Sequence, residues 1–112
     1  MKFIDLVHGL SGINLTKDRK QLLQVMVAFP GEKVETYAHK WKDTDYGTVN
    51  STFGKMCHEI CDVLGMDEPP RRFEDDVPFW SSVMLGACDR DADGKWLWTL
   101  RPEAVQAIKA VL

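Results

Sequence analysis

Residues 48–65, TVNSTFGKMCHEICDVLG, constrain this chain more than any other stretch. Val49, Phe53, Met56, Cys57, Ile60 and Leu64 recur at helical spacing and line one apolar face. At about 100° per residue, Ser51, Lys55, His58 and Asp62 fall on the opposite face, with Thr52 and Glu59 beside them. Gly65 stops the helix, because glycine enters the left-handed conformation that helix ends often use. A helix with a packed back and a small-polar, partly basic front has two readings. It is a recognition helix, or an ordinary amphipathic helix that serves only the core.

The surroundings bear on that choice. A chain of 112 residues has the size of one domain and is long enough to bury a core. A hydrophobic fraction of 45% with four tryptophans argues against disorder. The net charge of −3 gives no long-range pull toward nucleic acid. Its distribution is uneven: residues 66–78 set Arg71 and Arg72 against Asp67, Glu68, Glu74, Asp75 and Asp76, a net of −3, so the remainder is neutral. Residues 1–30 are mildly basic, with Lys2, Lys17, Arg19 and Lys20 against Asp5 and Asp18.

Three cysteines are an odd number, and Cys57 and Cys61 lie four apart on one helix, a poor disulfide geometry. Reduced thiols in a cytoplasmic protein are the natural reading. Asp5 and His8 interrupt the apolar residues of the N-terminus, so no secretory signal is expected there. No apolar run approaches the roughly 20 residues of a membrane-spanning helix. The sequons at Asn14 and Asn50 are then chance matches.

In chain order, Phe3, Leu6, Val7 and Leu10 suit a short N-terminal helix ending near Ser11 and Gly12, which packs on the domain or supplies a dimer contact. Thr16 is the expected N-cap of a helix running to Phe29, with Leu22, Leu23, Val25, Met26 and Phe29 buried. Asp18 in its first turn complements the helix dipole, and Pro30-Gly31 ends it. Residues 32–34 form a minimal strand. Residues 35–41 form a compact helix with Tyr37, Ala38 and Trp41 on one side, and residues 42–47, KDTDYG, form a turn into the helix that follows. Beyond Gly65 lies the acidic loop of 66–78, marked by Pro69, Pro70 and Pro78. Residues 79–85 and 95–100 read as two strands around the polar turn of 89–94, an antiparallel hairpin. Pro102 suits the first turn of a last helix, with Ala104, Val105, Ile108, Val111 and Leu112 as its stripe.

Helix, minimal strand, helix, turn, helix, hairpin, helix is the element order of the winged helix-turn-helix superfamily, and residues 17–112 resemble it. The closing WTLRPEAVQAI resembles the exit from the wing in bacterial members, where a tL-x-PE run opens the final helix. The expected fold is therefore mainly α with a small antiparallel β-hairpin (α+β), a single winged-helix-like domain over 1–112. Residues 1–15 are an N-terminal extension, and residues 79–100 are the wing hairpin. The resemblance implies that helix 48–64 enters the major groove of double-stranded DNA while the wing touches the backbone. Ser51, Thr52 and Lys55 are then candidates for base edges and phosphates, with Thr48 and Asn50 near the helix N-terminus. Lys33, Lys40, Lys42 and Arg90 are candidates for phosphates. Glu59 and Asp62 on the exposed face, and Asp89, Asp91 and Asp93 at the wing tip, oppose a phosphate backbone. The leading expectation is a regulatory DNA-binding protein, with a possible homodimer. The alternative is a protein-protein interaction module, adaptor or inhibitor, that uses the acidic loop and aromatic hairpin without nucleic acid.

Other constellations are weaker. Asp89, Asp91, Asp93 and Gly94 copy the opening of a calcium loop, but position twelve is Leu100, so a turn is the better reading. Cys57, His58 and Cys61, with His39 or Cys88, lack the paired knuckle of a closed zinc site, and no cofactor or metal is expected. His39, Asp43, Asp45, His58 and Ser51 have no spacing with a mechanism, so the chain is not expected to be an enzyme; Asp43 and Asp45 read as turn formers. Trp96 and Trp98, two apart, are expected to cover one face of the hairpin. In the functional alternative one tryptophan of the hairpin, with Phe79 or Trp41, stays exposed as an anchor for a partner. Trp41 and Tyr37 are expected in the core.

Overall fold

The computed structural model describes residues 1–74, 76–86 and 89–112. Among these, five helices surround one core: α1 (Phe3–Ser11), α2 (Lys17–Ala28), α3 (Val34–Lys42), α4 (Tyr46–Val63) and α5 (Pro102–Val111). Two minimal strands, β1 (Glu32–Lys33) and β2 (Leu97–Trp98), pair antiparallel, with Glu32 opposite Trp98 and Lys33 opposite Leu97. The protein is mainly helical with a small antiparallel sheet, the expected α+β class. No helix among the described residues is long and apolar enough to cross a membrane.

Helices α2, α4 and α5 start where their local chemistry directs. The Thr16 side chain accepts a hydrogen bond from the Arg19 backbone N–H at 3.2 Å and caps α2 as expected. α4 begins two residues earlier than the sequence pattern suggests, at Tyr46. Its N-cap is Asp45, whose carboxylate accepts the Thr48 backbone N–H at 2.8 Å. Those hydrogen bonds hold the Asp45 carboxyl below its usual range. Asp43, in the left-handed conformation at φ 51°, closes α3, and Gly65 at φ 70° follows α4. Pro102 occupies the first turn of α5.

α4 is the axis of the core. Val49, Phe53, Met56, Cys57, Ile60 and Cys61 are buried, while Leu64 is half-buried. α2 and α3 pack on one side and α1 on another, with α1 also lying against α5. α1 therefore packs on the domain through Leu6, Gly9 and Leu10. A side chain at Gly9 would place its Cβ 2.6 Å from Ile60 Cγ2, so only glycine permits this approach of α1 to α4. Tyr37 and Trp41 are buried as expected, and the Trp41 indole donates to the Asp18 carbonyl at 3.0 Å. The Tyr37 hydroxyl accepts from the Glu32 N–H at 3.2 Å and lies 3.1 Å from the Trp98 carbonyl oxygen, tying α3 to both strands. Phe29, expected inside, is exposed, and so is Phe3 of the α1 stripe. Phe29 leaves the helical conformation ahead of Pro30, and its ring turns outward under the Lys40 ammonium at 4.1 Å.

The expected strand over 79–85 is instead a short 3₁₀ helix, Trp80–Val83. Ser82, Val83, Met84 and Leu85 are all buried in succession. A strand turns alternate side chains to opposite faces and cannot bury four in a row against one core. A tight helical turn can. The sheet therefore joins β1 to β2, and the two arms of the expected hairpin meet only through isolated bridges. Leu85 bridges Leu100 and Arg90 bridges Trp96, both antiparallel, and the Gly86 N–H donates to the Thr99 carbonyl at 2.8 Å. The expected polar turn is present too: the Asp91 carboxylate accepts the backbone N–H groups of Asp93 and Lys95, each at 2.9 Å, with Gly94 at φ 79°.

Candidate functional site

Pairing of β1 with β2 anchors the second hairpin arm beside α3, so the hairpin lies alongside the N-terminal half of α4. Between them runs a trough of about 440 Å³, lined by Asn50, Ser51 and Lys55 of α4 and by Phe79, Trp80 and Trp98 opposite. A continuation of about 250 Å³ adds Arg72 and Trp96. A third hollow, on the far side of Asn50, adds Tyr46, Glu35 and Lys95.

Of the residues marked in the sequence, Asn50, Ser51 and Lys55 come together in this trough. Arg90 is not among the residues lining the trough; its guanidinium lies over Trp96 on the hairpin, 4.2 Å from the ring centre. Among the described residues no carboxylate lies within ion-pair distance of Lys55 or Arg90. The other candidates are elsewhere or occupied. The Thr48 hydroxyl donates to Asp45 at 2.9 Å, and Thr52 is half-buried outside the trough. Lys42 reaches back to Asp18 on α2 at 3.1 Å. Lys33 and Lys40 border a separate hollow with Thr36 and His39.

Two acidic groups expected to oppose a partner behave differently. Glu59 does not project from α4: Arg19 holds both its oxygens, at 2.9 and 2.6 Å. That bidentate bond draws the Glu59 carboxyl below its usual range and raises the Arg19 guanidinium. Asp62 stays exposed, 3.8 Å from the His58 ring. His58 itself stacks on Trp80, at 4.3 Å between ring centres and 20° between planes, and remains exposed. The 3₁₀ segment thus touches the front of α4 at His58, and Trp80 faces Asn50, Ser51 and Lys55 across the trough.

The hairpin tryptophans divide. Trp98 meets Phe53 edge-on at 5.5 Å and belongs to the core, whereas Trp96 is 44% exposed. Phe73 and Phe79 are exposed to a similar degree, and Trp41 is not. Arg72 joins these rings: its guanidinium carbon lies 5.4 Å from Trp96, 5.6 Å from Phe73 and 6.0 Å from Phe79. It is fixed there by Asp76 at 2.7 Å, and that hydrogen bond lowers the Asp76 carboxyl. In the sequence, Arg72 is a minority charge in an acidic loop, and nothing local reveals that it organises an aromatic cluster.

Cys57 and Cys61 are buried on the back of α4, as expected for small apolar residues. Burial pushes the Cys57 thiol well above its ordinary value and the Cys61 thiol to about 11, so neither is a nucleophile in the fold. Cys88 lies outside the described residues. No three potential ligands among His, Cys, Asp and Glu converge among the described residues. Set against protein-family models, curated proteins and solved structures, the chain matches none.

Proposed function

We propose that this is a winged helix-turn-helix domain with an added N-terminal helix, and that it binds duplex DNA in a cytoplasmic, regulatory role. The observation that carries the reading is the antiparallel register of β1 with the second hairpin arm, Glu32 opposite Trp98. It sets the first turns of α4 and the hairpin side by side, the arrangement in which a helix enters the major groove while a wing follows the backbone. Asn50 and Ser51 supply hydrogen-bonding groups for base edges, and Lys55 supplies a cation for a phosphate. Arg90, stacked on Trp96, is held in place for a second phosphate. The engagement of Glu59 by Arg19 removes one of the acidic groups that would face the backbone.

With few unpaired cations on this face, binding is modest and salt-sensitive. The test is a mobility-shift titration with random duplex DNA at about 50 mM and about 200 mM salt. A shift at micromolar protein that weakens with salt, and weakens further in Lys55→Ala and Arg90→Ala, supports the reading. Absence of any shift at low salt overturns it.

A further inference from the structure

The trough beside α4 is not built like a surface meant only for phosphates. Phe79, Trp80, Trp96 and Trp98 form its floor and far wall. Phe79 and Trp96 are each nearly half exposed, with Phe73 exposed beside them. Isolated apolar residues on a surface need no explanation, but adjoining aromatics at the mouth of a cleft mark an interaction surface.

Charge narrows the partner. Across the trough and the two adjoining hollows the cations of the lining are Lys55, Arg72 and Lys95. Asp76 pairs with Arg72 at 2.7 Å and Glu35 with Lys95 at 3.3 Å, whereas among the described residues no carboxylate pairs with Lys55. Arg90 adds a further cation over Trp96. In a chain of net charge −3, Lys55 and Arg90, which among the described residues no carboxylate pairs, form a small positive rim beside an aromatic floor. Carboxylates match the rim, and apolar side chains match the floor.

Ring geometry separates a peptide from a single-stranded nucleic acid, which also favours positive aromatic grooves. Base stacking requires open ring faces. Here the guanidinium groups of Arg72 and Arg90 both lie over Trp96, and His58 stacks on Trp80. The faces of the two central rings are engaged, and what they offer a partner is edges and apolar sides. An arginine laid on an aromatic ring still presents its N–H edge to a carboxylate, as Arg72 does to Asp76 at 2.7 Å.

We infer that the trough between α4 and the hairpin docks an extended protein segment in which acidic residues flank an apolar one. The carboxylates meet Lys55 and Arg90, and the apolar side chain rests against Phe79 and Trp96. This inference stands on the trough and does not depend on duplex binding. Where both hold, the peptide and DNA exclude one another, because Lys55 and Arg90 serve both.

The test is selection of a phage-displayed random-peptide library on the full chain, followed by fluorescence anisotropy with a labelled synthetic peptide of the enriched sequence. Expected are peptides with Asp or Glu on either side of Leu, Phe or Trp. Replacing their acids with amides weakens binding about tenfold or more. Phe79→Ser and Trp96→Ser, both at exposed rings, do the same while circular-dichroism melting stays unchanged, and Lys109→Ala on α5 leaves binding intact. No enrichment, enrichment without acids, or binding indifferent to both ring variants overturns the inference. So does tighter binding of single-stranded oligo-dT that depends on Phe79 and Trp96. Duplex binding that persists in Phe79→Ser separates the fate of this proposal from that of the DNA reading.

Discussion

The two halves of α4 share one helix and one apolar back, yet their fronts have opposite surroundings. Toward the C-terminus, Arg19 of α2 grips Glu59 and Trp80 lies on His58, while on the back Gly9 of α1 approaches Ile60. Toward the N-terminus, Asn50, Ser51 and Lys55 face the open trough. An amphipathic pattern reports which side of a helix is buried, and it is silent on which part of the polar side receives a neighbour. Here the side-chain contacts with neighbouring elements gather in the C-terminal half, while Asn50, Ser51 and Lys55 line the trough.

The sharpest way to break this comparison is to cut the shared back. Phe53 is fully buried against Trp98, so Phe53→Ala is expected to cost about 3–5 kcal/mol in chemical denaturation. A loss much smaller than that would mean the open half of α4 is poorly anchored and its front is not a fixed surface. Next comes the close approach of α1. Gly9→Val drives a side chain into the stiff, branched Ile60 and should cost about 1–3 kcal/mol by overpacking, read in the same denaturation curve. If the variant is as stable as the parent, α1 is not packed as described.

A smaller effect is expected from the Arg19–Glu59 pair, since the Glu59 side chain is 41% exposed and solvent screens it. Glu59→Gln should lower stability by under about 1 kcal/mol at neutral pH. The sign of its pH dependence follows from the lowered folded-state carboxyl. The contribution is complete above the unfolded value of about 4.3 and disappears as pH falls through the lower folded value. Parent and variant should therefore converge in stability as the solution is acidified. Divergence on acidification would exclude the pairing.

The smallest stability effect belongs to the open half. Lys55→Ala should change unfolding free energy by no more than about 0.5 kcal/mol. It should nonetheless reduce the salt slope of duplex binding by about one unit, measured by titration at several salt concentrations. A stability loss comparable to that of Gly9→Val would erase the distinction between the two halves.

Much of this architecture was legible residue by residue. The Thr16 cap, the stop at Pro30-Gly31, the left-handed Gly65 and the start of α5 at Pro102 are local events, decided within a few residues by hydrogen bonding and backbone sterics. The buried stripe of α4 was legible because helical periodicity sorts it. The strand expected at 79–85 failed because β propensity in FWSSVML competes with the need to bury Ser82 through Leu85 together. The candidate contacts divided for a related reason. Exposure and charge placed Lys40 and Lys42 in the same class as Lys55, but α3 aims them at Phe29 and Asp18 instead.

Sequence alone determined where most helices begin and end and which face of each is apolar, because those outcomes depend on neighbours within about one or two helical turns. Only the tertiary structure decided that Arg19 holds Glu59 forty positions away, that Trp80 stacks on His58, and that Arg72 gathers Phe73, Phe79 and Trp96. Contacts between distant segments are set by how whole elements pack. A charge or ring that looks free in the chain is spent or spared only once its neighbours arrive.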